Sequence, residues 1–75
     1  MKYLLVLHDT SKPNNPPATV RSTSPFSPIS VGDHIIGQGF PLAIGCAYTV
    51  ARIDHRFPTD DEDGLFHQID AYLAP

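Results

Sequence analysis

The chain has little of what usually staples a small protein together. Among its 75 residues there is one cysteine, Cys46, with one methionine and no tryptophan. A single cysteine excludes an internal disulfide framework and suits a reducing compartment. Long hydrophobic runs are missing too. The apolar stretch at residues 3–7 is too short for the core of a secretion signal and far too short to cross a bilayer. These absences predict a cytoplasmic protein with no membrane segment.

Positive charge is also scarce. Five basic residues stand against eight acidic ones, giving a formal charge of −3. The bases Lys2, Lys12, Arg21, Arg52 and Arg56 are scattered along the chain with no cluster. Nucleic-acid binding draws most of its affinity from neutralised phosphates, so this balance argues against it. Helical periodicity is the last absence: no window holds apolar residues at helical spacing for three full turns.

What the chain does have is punctuation and alternation. Eight prolines and five glycines divide it into short segments, several of which alternate with period two. The prediction is a single small mainly β domain spanning residues 1–75. Its antiparallel sheet has about five strands, curled into a barrel or half-barrel, with at most one short helical turn. The predicted strands are residues 2–8, 18–23, 33–36, 47–57 and 65–73. Between the first two lies a stretch rich in proline and polar turn formers, which reads as an exposed loop. Pro25 and Pro28 bar regular central-strand pairing, while Phe26 and Ile29 can pin that crossing segment to the core. Residues 42–45 fit either an irregular crossing or one helical turn.

The last two strands specify most. Pairing Arg52 with Asp70 sets Ile53 opposite Ile69, His55 opposite His67 and Phe57 opposite Leu65. A slip of two residues would oppose Asp54 to Asp70, two like charges that disfavour each other by roughly 0.2–1 kcal/mol. In the preferred register Tyr48, Arg52, Arg56, Phe66 and Tyr72 share one face. Tyrosine and arginine are enriched where proteins touch, so these five residues are the expected partner-binding surface. Aromatics interleaved with arginines could also stack the bases of a single strand, which makes nucleic-acid binding the alternative.

Candidate chemistry is thin. His55 and His67 are weak candidates for metal ligation, because zinc sites need three or four ligands and no third is fixed. The segment Thr59-x-Asp61-x-Asp63-Gly64, followed by Asp70, echoes a calcium loop. Thr59 stands where aspartate should be, however, and strand-like flanks replace helices. No serine lies in a Gly-x-Ser-x-Gly elbow, Cys46 has no neighbouring base, and Gly37-x-Gly39 is too short for a phosphate loop. The expectation is therefore a non-enzyme with no catalytic residue and no cofactor.

One further argument comes from coverage. The first strand is apolar on both faces, and no amphipathic helix is available to cover the second. Exposed contiguous apolar surface marks an interaction site, so the sequence predicts another protein chain as partner, with a homodimer the default. An acidic non-catalytic adaptor or small inhibitor results, of a kind common in phages and mobile elements.

Overall fold

A computed structural model describes residues 2–39, 42–58 and 64–75. Five strands form one sheet: β1 (Lys2–Asp9), β2 (Ala18–Ser22), β3 (His34–Ile36), β4 (Ala47–Arg56) and β5 (Leu65–Ala74). Every predicted strand is present, with bounds that differ by no more than one residue. The sheet curls through 227° into a half-barrel, in the order β2-β1-β5-β4-β3. Among the described residues no helix is long and apolar enough to cross a membrane.

The sheet is mixed where an antiparallel one was expected. β1 runs parallel to β5, with Leu5 beside Ile69 and Leu7 beside Ala71. The reason is the connection from β2 to β3. The two strands are the opposite edges of the sheet, and the proline-punctuated segment 23–33 carries the chain from one to the other. β5 then returns between β1 and β4, and its direction is set by its tight pairing with β4. Phe26 and Ile29 of that segment pack against the core, as their spacing predicts.

The core lies on the inner face of the curl. Leu5, Leu7, Tyr48, Val50, Ile69, Ala71 and Leu73 point inward, joined by Leu42 from the turn before β4. That turn closes through Gly45 N–H donating to Gly37 O and Cys46 N–H to Ala43 O. A side chain at Gly37 would collide with the Ala43 carbonyl, so the close approach requires glycine.

The register of the last hairpin differs from the expected one. Beyond Val50 a bulge shifts the pairing, so that Arg52 faces Tyr72, Asp54 faces Asp70, His55 faces Ile69 and Arg56 faces Gln68. This is the slip that like charges disfavour. It prevails because the bulge at Ala51 reverses which side chains point inward in the first half of β4. Tyr48 and Val50 enter the core, where they are 2% and 0% exposed. Burying Val50 alone is worth about 1.5–3 kcal/mol, more than the carboxylate opposition costs.

Candidate functional site

Strand alternation sorts the polar residues onto the outer face of the sheet in cross-strand rows. One row runs His8, Tyr72, Arg52 across β1, β5 and β4. The next runs Thr19, Val6, Asp70, Asp54, and the third Arg21, Leu4, Gln68, Arg56. Lys2 lies on the same face of β1 as Leu4. Four of the five bases, scattered in sequence, are thus gathered on one surface.

The centre of this surface is Asp70, which is almost wholly buried. Arg56 Nε donates to its Oδ2 at 2.7 Å, His8 Nε2 to its Oδ1 at 3.1 Å, and Gln68 Nε2 to both oxygens at 3.3 and 3.2 Å. Burial pushes the Asp70 carboxyl upward, but hydrogen bonds from His8, Arg56 and Gln68 outweigh it and hold the group below the ordinary value of 3.8. Asp54 is paired instead by Arg52, whose guanidinium donates to Oδ2 at 3.2 Å. The two opposed carboxylates therefore each have their own arginine.

Tyr72 is held on both sides. The His8 ring lies parallel to it at 4.6 Å between centroids. From the other neighbouring strand the Arg52 guanidinium sits 4.1 Å above the ring centroid. Both π faces are occupied, so neither is open to stack a base.

Of the expected partner-binding residues, the structure brings Arg52, Arg56 and Tyr72 together. Tyr48 is a correction: the bulge turns it into the core, where its hydroxyl donates to Asp9 Oδ2 at 3.2 Å and accepts the Ala43 N–H at 2.9 Å. Phe66 sits at a second irregularity, where β5 skips one position against β1 between Lys2 and Tyr3. It packs edge-on against Tyr3 at 5.9 Å, far along the strand from Tyr72. His8 and Gln68 are the members of the cluster that the sequence did not single out. Finding His8 requires knowing that β1 lies beside β5.

The coverage argument is also corrected. Val6, on the second face of β1, is 6% exposed within the single chain, and Leu4 and Tyr72 are half-buried. The apolar surface left exposed lies elsewhere, at Val20, Val31, Ile36, Ile44, Phe57 and Phe66.

His55 and His67 do meet, diagonally and not face to face. His55 Nδ1 and His67 Nε2 are 2.9 Å apart. The rings are inclined by 16° with centroids 5.1 Å apart, which is the hydrogen-bond length plus a ring radius on either side. They lie edge to edge in nearly one plane, one nitrogen donating to the other. Phe57 stacks on His67 at 4.6 Å and 3°. Among the described residues no group of three or more His, Cys, Asp or Glu gathers as a metal site would require. The calcium-loop echo falls at residues 59–63, outside the described residues.

A second buried carboxylate, Asp9, closes the far end of β1. Ser11 Oγ and N–H donate to its Oδ1 at 2.6 and 3.0 Å. The Ser11 hydroxyl bond is the chief cause that holds its carboxyl below the ordinary range, against the opposing effect of burial. Both buried carboxylates are thus fixed as acceptors with their hydrogen-bonding capacity in use. No protein-family model, no curated protein and no solved structure matches this chain.

Proposed function

We propose that this chain is a non-catalytic protein-binding module that associates with a second copy of itself through the free edge of β3. The observation that carries the reading is the state of that edge. β3 ends the sheet and pairs only with β4 among the described residues. Asp33 O accepts the Val50 N–H and Gly37 N–H donates to Cys46 O. In an antiparallel ladder bonded and outward positions alternate, so His34 and Ile36 turn their main-chain groups away from the sheet.

Apolar side chains surround this edge. Val31 is 65% exposed, Ile36 49% and Ile44 81%. Edge strands are normally blunted by charge, proline or cover, and the sequence His34-Ile35-Ile36 carries no Lys, Arg, Asp or Glu. Two copies pairing antiparallel about Ile35 would set His34 opposite Ile36 of the second copy, each pair exchanging two main-chain hydrogen bonds. Such a contact is self-complementary under two-fold symmetry.

The non-catalytic part rests on the outer-face network. A general acid or base needs an available proton or lone pair at working pH, and Asp9 and Asp70 are held ionised and hydrogen-bonded. The occupied faces of Tyr72 favour the protein-binding reading over single-strand nucleic-acid binding. Sedimentation velocity across a concentration series tests the proposal. A monomer–dimer equilibrium that Ile36→Pro shifts to monomer supports it, and a strict monomer for the unaltered chain ends it. Proline at this position removes an outward N–H and no β3–β4 bond, so the fold is retained.

A further inference from the structure

The two histidines near the loop end of the last hairpin hold a geometry that self-association leaves unused. The shifted register sets His55 opposite Ile69, so His67 is its diagonal neighbour on the same face. Diagonal neighbours are about 7–8 Å apart, within reach of long or aromatic side chains. Tyr3, paired with His67, lies on that face too, as does Phe57, two positions beyond His55. His55 Nδ1 and His67 Nε2 point at each other across 2.9 Å, with the rings inclined by only 16°. One nitrogen carries the proton between them and the other supplies the lone pair.

We infer that this pair binds a monovalent cation with a filled d shell, copper(I) being the biological case, in place of the shared proton. The lone pairs of an imidazole lie in its ring plane, and here the two that face each other lie along one line. Zinc needs three or four ligands converging on it, and no third gathers here among the described residues. A monovalent ion with a filled d shell is satisfied by two nitrogens in line, and imidazole suits copper. A metal–imidazole bond is about 2 Å long, so the two nitrogens must part to about 4 Å. His55 is exposed and free to swing by that amount.

His67 is the fixed half of the pair. Phe57 stacks on its ring at 4.6 Å and Tyr3 meets it edge-on at 6.5 Å, which orients Nε2 before any ion arrives. The exchange releases no net proton. The ring that donates in the pair moves its proton to its own far nitrogen, and both facing nitrogens then offer lone pairs. Among the described residues neither far nitrogen, His55 Nε2 or His67 Nδ1, has a hydrogen-bond partner that would resist this. The acidic residues 60–63, which join the two strands in sequence, add charge of the sign that favours a cation, and none is asked to ligate it. β3 pairs with residues 47–49, toward the other end of β4, so this site is independent of self-association.

The test is an imidazole nitrogen NMR spectrum of the intact chain titrated with silver(I), a redox-inert ion of the same charge and coordination, in mildly alkaline buffer. Cys46, just before the opposite end of β4, competes as a softer ligand, so two equivalents of silver are supplied. His55 Nδ1 and His67 Nε2 should shift in concert and both be split by coupling to one silver nucleus, with the ring protons on His55 Nε2 and His67 Nδ1. His8 and His34 should not change. His55→Gln and His67→Gln should each weaken binding at this site about tenfold or more, with the backbone amide spectrum otherwise unchanged. Silver that reaches only Cys46, or only one of the two rings, overturns the inference, as does binding that both substitutions leave intact. Zinc(II) held by the pair as tightly as silver(I) overturns the two-coordinate assignment.

Discussion

Asp54 stands directly opposite Asp70 on adjacent strands, and each carboxylate is answered by an arginine two positions away along β4. Arg52 takes Asp54 at 3.2 Å and Arg56 takes Asp70 at 2.7 Å. The two acids are not equivalent. Asp70 is 3% exposed and binds three side chains, whereas Asp54 is half-exposed and binds one. Asp54→Asn should change stability by no more than about 0.5 kcal/mol, since it relieves a like-charge pair and loses only a surface ion pair. Asp70→Asn should cost about 1–3 kcal/mol by weakening a buried charge-assisted network. Urea unfolding of the two variants checks the contrast, and equal losses would contradict it.

The same network makes stability fall in acid. Asp70, raised by burial but lowered further by its bonds to His8, Arg56 and Gln68, and Asp9, lowered chiefly by Ser11, both ionise below 3.8 in the folded chain. A depressed folded-state value contributes stability that is fully present above the unfolded value and lost as pH falls through the folded one. The urea midpoint should therefore be nearly level from about pH 7 to 5 and drop below about pH 4. Asp70→Asn should flatten the drop. A midpoint that rises below pH 4 would refute the assignment.

Ala51 is the one extra residue that lets Tyr48, Val50 and Ile53 all face inward, so its removal should be tolerated better than the trimming of a core side chain. Val50→Ala should cost roughly 2–3 kcal/mol, as a buried large-to-small change. Deletion of Ala51 should cost less than Val50→Ala, because it joins Val50 to Arg52 and continues the ladder from Leu73 to Tyr72 without the bulge, leaving Tyr48, Val50 and Ile53 inward. Ile44→Ala, at 81% exposure, should change stability by less than about 0.5 kcal/mol. Circular dichroism melts of the three variants rank them, and a deletion costlier than Val50→Ala would overturn the role given to the bulge.

These contrasts mark what was legible in the sequence. Strand positions were, because Pro13, Pro16, Pro17, Pro25 and Pro28 and the glycines bound the alternating runs sharply. The crossing by Phe26 and Ile29 was legible for the same reason. Register was not. Alternation along residues 47–57 is read as continuous, and nothing local at Ala51 announces an inserted residue. Two β-strand halves with opposite inward parity look like one strand with Tyr48 and Val50 on the charged side. The parallel neighbour of β5 was hidden too, since Lys2–Asp9 and Leu65–Ala74 are apolar enough to pair in either direction. His8 could not be tied to Tyr72 and Asp70 without that neighbour. The gathering of Lys2, Arg21, Arg52 and Arg56 on one face followed from the same two facts.

Exposure of the β3 backbone gives the most direct reading of self-association. Amide hydrogen exchange at His34 and Ile36, whose N–H groups point away from β4, should be fast in dilute solution. It should slow markedly as protein concentration rises, while Val50 and Gly37, already bonded across β3 and β4, change far less. Exchange at His34 and Ile36 that stays fast and independent of concentration would contradict pairing at this edge.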